Sequence, residues 1–407
     1  MKILFLTQYF PPEVGAPQNR LFELALKLKE KGADVTVLTA MPNYPEMKIH
    51  KGYRKRWYAY EEIEELKVHR SAIFVSQKRG AFYRLLNYFS FVFTSFLTGW
   101  LKLYKQDYII CESPPLFLGI SALALRKMVG GKIIFNVADL WPESAEQLGI
   151  IRNKKVLKAT TWLEEILYQN ADLITGQTNG IINNIQQRFP HKKVYWLPNG
   201  VDTSYFYLGH KNKTDWRSVH GFKSDDFILL YAGNLGHAQG LEVVLNAATL
   251  LVENEQIKFV FVGDGPERKE LEQQKERLNL QQVFFFDTVK KREMPALIAT
   301  SNAAVIPLKK LPLFEGAIPS KIFENLAMKK PILLGVEGEA NELFIQQGKA
   351  GLEFEPENDR ELADQILKLY ESPILQKELG EYGYEYVATH FSRQKIADEF
   401  WEQLNKQ

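Results

Sequence analysis

Between Phe227 and Ala248 the sequence FILLYAGNLGHAQGLEVVLNAA passes from a short apolar run into glycines at 233, 236 and 240 and then into a helical pattern. The order is strand, tight loop, helix start. Glycines let a backbone turn sharply and approach a ligand closely, while first-turn amides and the positive end of the helix dipole face an anion. A phosphate or diphosphate suits that place, although an ordinary strand-to-helix connection fits the same residues. Two other groups bear chemistry. Asp139 follows the apolar run KIIFNV, at the C-terminal end of what reads as a parallel strand, where open α/β sheets bind ligands; Glu143 is one helical turn further. Asp139 can equally cap the turn that follows it. Ser320 and Lys321, after Pro319, offer a hydroxyl and an ammonium at a helix start, and Glu324 stands three residues on, on the neighbouring face. The bland reading of Lys321 is a solvated helix-start residue.

The elements that must carry these residues repeat one grammar. IKFVFVGDGPERKELEQQ is a second strand and turn, with Gly263 and Gly265 flanking Asp264 and Pro266 predicted to open a helix. At the N-terminus KILFLTQ leads into the turn YFPPEVGAP, a helix predicted over Gln18 to Lys31 and the strand ADVTVLTA. Both halves therefore open with β-loop-α-β. Near-continuous apolar strands alternating with helices point to parallel sheets covered on both faces, and 407 residues are too many for one such sheet. The expectation is an α/β protein of two Rossmann-like, doubly wound domains. LPNGVDTSYF marks the boundary, giving domains at 1–197 and 198–391 and a closing helix at 392–407 capped by Ser392.

Apolar residues at 45% can fill two cores, and 25% charged is ordinary for a globular surface. The net charge of +2 hides a split: residues 1–200 hold 27 Lys and Arg against 17 acids, and 201–407 hold 24 against 32. A basic first half suggests an anionic partner, a membrane surface or a nucleic acid. No nucleic-acid module is recognisable, so none is expected. One cysteine, Cys111, permits neither a disulfide nor a cysteine metal site within one chain, and a reducing cytosol fits. ILFL is too short, and too soon broken by Gln8 and Pro11, for a signal peptide. Leu85 to Leu101 is 17 uncharged residues, the lower limit for a membrane span. Asn87, Ser90, Thr94 and Thr98 make a weakly polar stripe on it, with Phe89, Phe93, Phe96, Leu97 and Trp100 on other faces. Core packing of most of these aromatics is the first reading. Flanked by Lys78, Arg79, Arg84, Lys102 and Lys105, the segment can also lie on an anionic bilayer, which would put the protein on the inner face of the cytoplasmic membrane.

Six segments in this order, PPEVGAPQNRLFELALKLKEKGADVTVLT, NVADLWPES, LPNGVD, YAGNLGHAQGLEVVLNAA, FVGDGPERKELE and IPSKIFENLAMKKPIL, carry a resemblance over essentially the whole chain. The chain resembles retaining, nucleotide-sugar-dependent glycosyltransferases of family 4, and within them the WbuB-like bacterial enzymes of O-antigen, capsule and other surface polysaccharides. The resemblance implies the GT-B fold, two Rossmann-like domains facing a central cleft that closes to exclude water. It implies a hexosyltransferase that needs neither metal nor cofactor, the nucleotide-sugar being a substrate and UDP the favoured carrier, with a lipid-linked or polysaccharide acceptor.

It also implies roles. Amides at Gly15 and Ala16, the loop residues Gly233, Asn234, Gly236, Gln239 and Gly240, and Gly265 would meet the donor; Asn199 would line the cleft at the hinge or simply make the turn. Lys321 would take the β-phosphate beside Ser320, Glu324 the ribose hydroxyls, and the backbone around Thr288 and Val289 the base. Asp139 would orient the acceptor or steady the oxocarbenium-like sugar, with Glu143 on the acceptor side, while a donor phosphate oxygen takes the acceptor proton. The sequence departs from the family pattern in four places. The first acid of the Glu-x7-Glu motif falls on Gly316, with Glu315 one place off; an Arg and a Lys common at the glycine loop fall on Asn234 and Gln239, which raises Arg268 or Lys269 as a further cation; Asp287 stands where Gly is frequent; and Ala138 replaces a frequent His. Two alternatives keep the same diphosphate architecture: a GT-B epimerase acting on UDP-N-acetylglucosamine, and a nucleotide-binding module without catalysis. A dehydrogenase is disfavoured by the missing Gly-x-Gly-x-x-Gly spacing.

Overall fold

The computed structural model describes residues 1–13, 15–44, 46–78, 80–147, 151, 153–209 and 216–406. The chain forms two compact units, Met1–Asn199 with Ile396–Gln407, and Gly200–Lys395.

Among the described residues the first unit has eight strands: β1 (Lys2–Leu6), β2 (Asp34–Ala40), β3 (Tyr58–Ile63), β4 (Leu66–Ser71), β5 (Tyr108–Ser113), β6 (Lys132–Val137), β7 (Leu173–Gly176) and β8 (Val194–Trp196). Their spatial order is β3-β4-β2-β1-β5-β6-β7-β8, and only β3 runs antiparallel to its neighbour. The central strands are largely apolar and, after the exposed Lys2 and Lys132 that open β1 and β6, buried throughout, because helices cover both faces. One face packs on Leu21, Leu24 and Leu28 of the helix Ala16–Glu30. Ile396, Phe400 and Leu404 of the C-terminal helix Arg393–Asn405 lie in that same core, so the tail belongs to the first unit; Ser392 Oγ accepts the Lys395 amide at its start. The other face packs on the helices Ala81–Lys102, Leu118–Val129 and Lys154–Asn170.

In the second unit six parallel strands, β9 (Phe227–Ala232), β10 (Ile257–Val262), β11 (Val283–Phe286), β12 (Ala303–Pro307), β13 (Ile332–Gly335) and β14 (Gly351–Glu353), stand in the order β11-β10-β9-β12-β13-β14. The strand order reverses between β9 and β12, and a crevice beyond the strand ends at such a switch point is where open sheets take ligands. In the first unit the reversal falls between β1 and β5. The expected boundary at 197/198 precedes the observed division by two residues.

Two local readings are corrected. Pro266 lies in a turn with Glu267, and the helix that follows is Arg268–Arg277; the Glu267 amide donates to the Leu235 carbonyl at 2.9 Å, which ties this turn to the first glycine loop. Most of the aromatics named in Leu85–Leu101 are not core, although Phe96 packs against the first-unit core and Phe91 is fully buried in it. Phe89, Phe93, Leu97 and Trp100 are exposed, whereas Asn87, Ser95 and Thr98 are buried, Asn87 and Ser95 with hydrogen bonds inward. Arg79, counted among the flanking cations, lies outside the described residues.

Candidate active site

In the second unit β9 ends at Ala232 and the chain turns at Gly233, whose φ of +146° is open to glycine. A Cβ there would meet Lys321 Cε at 3.3 Å and Nζ at 3.6 Å. Lys321, the first residue of the helix Lys321–Ala327, holds its ammonium 4.7 Å from the Tyr231 ring centroid and 3.4 Å from the Tyr231 hydroxyl. That hydroxyl in turn donates to the Asn234 carbonyl at 2.6 Å. A cation, an aromatic face and the glycine loop are thus locked together at the C-terminal edge of the sheet. Burial lowers the pKa of Lys321 to about 8, with the charge of Glu324 pulling the other way. Glu324 is partly buried, and its charge also bears on Tyr205, whose phenol is raised first by burial.

The rest of the loop is tied to itself. The Gly236 amide, expected to face a phosphate, donates to Gln239 Oε1 at 3.1 Å, so these two residues satisfy each other in this structure. Gly240 is left-handed at φ +57°, and Lys309 Cγ lies 3.1 Å from where its Cβ would stand, with the Lys309 amide donating to the Ala238 carbonyl. Lys309 follows β12, so its backbone and the stem of its side chain pack on the glycine loop at the switch point. Gly265 presses on the Leu235 backbone, where a Cβ would come within 2.3 Å of the carbonyl oxygen. Arg268 is engaged by Asp287 Oδ1 at 2.7 Å, Glu272 Oε1 at 2.9 Å and the Gly263 carbonyl at 3.0 Å. Asp287 thereby braces the second glycine turn through its side chain.

Other expected donor residues are placed less centrally. Lys269 is exposed and lines a surface hollow with Glu272, Gln273 and Phe285. Thr288 is exposed and Val289 partly buried, both following β11. The Glu315 side chain is exposed while its backbone packs on Gly338, which leaves the carboxylate outside the Lys321 cluster. Ser320 sits before the helix without a side-chain capping bond.

In the first unit Asp139 lies two residues beyond β6 and accepts a hydrogen bond from Ser144 Oγ at 2.8 Å. Burial raises its pKa, and the bonds from Ser144 and the Leu140 amide oppose the rise. Glu143, one turn on, accepts from Gln147 Nε2 at 3.2 Å. Gly15 precedes the helix Ala16–Glu30 without a side-chain cap, and its carbonyl accepts the Asn19 amide. Ala16 opens that helix; its side chain is outside the described part. Asn199 is buried at the end of the unit.

Several residues at these edges escaped sequence reasoning. Tyr231 and Lys309 carried a faint signal, each a polar residue just past or within an apolar strand. A buried ladder also runs beneath the first-unit loops. Arg20 Nη2 donates to Glu112 Oε1, Asn136 Nδ2 donates to Glu112 Oε2 at 2.5 Å, and Thr175 Oγ1 donates to Asn136 Oδ1 at 2.6 Å. Its signal was the polar residue near the C-terminal end of YIICES, KIIFNV and LITG. Glu13, buried in the quoted PPEVGAP turn, accepts the amides of Phe10, Asn43 and Tyr44 and so staples the loop after β1 to that after β2.

Comparisons with known proteins agree with this architecture. A family model for glycosyltransferase family 4 matches residues 18–205, and one for glycosyl transferases group 1 matches 212–386. The chain is 27% identical over 334 residues to the putative colanic acid biosynthesis glycosyl transferase WcaI of Escherichia coli K12, covering 81% of each chain. It is 25% identical over 317 residues to the probable glycosyltransferase WbjE of Pseudomonas aeruginosa, covering 72% of this chain and 75% of that one. Among solved structures, Anabaena HepE in complex with UDP and glucose superposes with a TM-score of 0.74 at 18% identity, covering 100% of both chains. Sucrose-phosphate synthase from Thermosynechococcus elongatus gives 0.78 at 17%, covering 100% and 98%. Two parallel-sheet units of this kind define the GT-B fold. The chain belongs to the family 4 glycosyltransferases.

Proposed function

We propose that this glycosyltransferase moves a sugar from a UDP-sugar, with retained anomeric configuration and without a metal ion, to a lipid-linked or polysaccharide acceptor in cell-surface glycan synthesis. The observation that carries the reading is the Lys321 ammonium fixed against Gly233 and Tyr231 at the switch point of the second sheet. A departing diphosphate develops charge on its β-phosphate, and a preorganised cation with backbone amides stabilises it without reorganisation. Lys309, whose side-chain stem packs on Gly240, is a lysine within reach of the loop where Asn234 and Gln239 carry no charge. Glu324, one turn along the helix from Lys321, takes the ribose hydroxyls. On the acceptor side the hydroxyl attacks the anomeric carbon as the bond to the diphosphate breaks, its proton passing to a departing phosphate oxygen. Asp139 holds the acceptor or steadies the positive charge on the sugar. WcaI, named for colanic acid biosynthesis, and HepE, held with UDP and glucose, support the glycan and the nucleotide in this reading.

Calorimetric titration with UDP in EDTA, beside GDP and a Glu324→Ala variant, tests it. UDP binding in the presence of chelator, weaker in the variant and preferred over GDP, is the expected result. Absence of UDP binding, or binding indifferent to Glu324, overturns it.

A further inference from the structure

The helix Ala81–Lys102 buries one large apolar side chain, Phe91, and otherwise turns a polar and small side inward. Asn87 accepts from Gln8 Nε2 at 2.9 Å and donates to the Phe74 carbonyl at 2.7 Å, and Ser95 meets Ser121 across 2.9 Å. Thr94 donates to the Ala72 carbonyl, and Gly99 packs on Leu125. These contacts fix the helix rotation. The outward face then shows Phe82, Phe89, Phe93, Leu97, Trp100 and Leu101, with Phe82 67%, Phe93 65% and Leu101 63% exposed. Each large apolar side chain left in water forgoes about 1.5–3 kcal/mol of burial. A contiguous patch of this kind marks a surface that something covers.

Two neighbours extend it. Tyr104, just past the helix, is 84% exposed, and Trp57 is 81% exposed. The Trp57 carbonyl accepts the Ala72 amide, and Lys102 Nζ lies 5.2 Å from the ring of adjacent Tyr58, so Trp57 stands at the C-terminal end of the helix. The exposed charges flanking the helix are cations, Lys78 and Arg84 at its start and Lys102 and Lys105 at its end. Residues 66–106 contain seven Lys and Arg and no Asp or Glu, of which Arg70 is buried against Glu61 and Lys67 pairs with Asp34, and residues 47–58 contain five and none. Lys48, Arg54 and Lys78 line one surface hollow, and Lys78 Nζ reaches over Tyr83 on the first turn of the helix.

We propose that this face docks on an anionic bilayer, with the aromatic stripe in the headgroup and upper acyl layer and the cations on lipid phosphates. Aromatic and basic residues together are the composition of an interfacial helix, and each cation near an anionic leaflet adds on the order of 1 kcal/mol. No described helix is long and apolar enough to cross a membrane, so this one lies along the surface. A second copy of the chain is the poorer occupant, because pairing the patch with itself would bring its flanking cations, Lys78, Arg84, Lys102 and Lys105, against their own copies.

The docked face is joined to the catalytic loop. Phe89 packs on Phe117 at 4.8 Å between ring centroids, and Phe117 on Trp141 at 5.5 Å, two residues from Asp139. Docking therefore sets the Asp139 loop near the headgroup layer, where a lipid-linked acceptor carries its sugar; that consequence rests on the proposed acceptor, whereas the docking does not.

Co-sedimentation with vesicles of phosphatidylcholine alone, and of phosphatidylcholine with phosphatidylglycerol, tests the docking. Wild-type protein should bind the anionic vesicles and bind neutral ones about tenfold or more weakly, with salt reducing the difference. The double variant Phe93→Glu with Trp100→Glu, both at exposed positions, should lose at least tenfold in vesicle binding while keeping its thermal transition and its UDP affinity. Wild type remaining in the supernatant with both vesicles, or a variant that binds as wild type does, overturns the proposal. So does sedimentation velocity showing a wild-type dimer that the variant dissolves, without vesicle binding by either. Vesicle binding by a protein that fails to bind UDP would leave the docking standing and remove the donor reading.

Discussion

The ammonium of Lys321 rests on the face of Tyr231, 4.7 Å from the ring centroid, and touches the space that a side chain at residue 233 would need. Residues ninety apart in sequence thereby make one unit: the strand supplies the aromatic face, the turn supplies the gap, and the later helix supplies the charge.

The gap is the simplest part to test. Gly233→Ala places a Cβ 3.3 Å from Lys321 Cε at a φ of +146°, which strains the backbone and pushes the ammonium off the ring. We expect a loss of about 1–3 kcal/mol in chemical denaturation together with weakened UDP binding. A variant with wild-type stability and affinity would show that the loop adjusts freely.

Protonation should be linked to the ligand. Burial holds the pKa of Lys321 near 8 in the free protein, below its ordinary value, so the ammonium is present below that pH and is lost as pH rises through it. A bound diphosphate restores the charged form. Binding of UDP should therefore take up a proton at pH 8 and above, read as a dependence of the calorimetric enthalpy on buffer ionisation, and affinity should fall with rising pH. Lys321→Met should abolish the uptake.

How far this site could be read from sequence follows from distance along the chain. The glycines of Phe227–Ala248, the strand before Asp139 and the Ser320-Lys321 helix start are local patterns, and each names its own strand edge or helix start. Doubly wound topology follows from alternating apolar runs and helices. What local patterns do not contain is partnership: that Tyr231 would carry Lys321, that Lys309 would cross Gly240, or that Gln239 would close on Gly236 instead of facing a ligand. The helix Ala81–Lys102 misled for a related reason. Apolarity marks a face for burial, but which face is turned in was decided by Asn87, Thr94 and Ser95 finding Gln8, Phe74, Ala72 and Ser121.

Asp139 should act in transfer and not in donor binding. Asp139→Asn preserves the size of the group that Ser144 bonds, so UDP affinity should hold while kcat falls about a hundred- to thousandfold. Because burial raises the Asp139 pKa, wild-type activity should drop as pH falls through that raised value, and the variant should lack this acid limb.

The ladder beneath the first-unit loops is a stability element. Glu112→Ala would leave the Arg20 guanidinium buried without its carboxylate, at a cost of about 3–5 kcal/mol. Thermal unfolding should register this as a clearly lowered transition, with Glu112→Gln costing less because the amide still meets Asn136.

The central claim is that Lys321 holds the diphosphate of the donor, and paired titrations of Lys321→Met with UDP and with uridine test it most directly. The account predicts that UDP binding weakens by about 1.5–3 kcal/mol, the worth of a hydrogen bond to a charged group, while uridine, which lacks the phosphates, binds the variant and the wild type alike. UDP binding unchanged by the substitution, or an equal loss for both ligands, would contradict it.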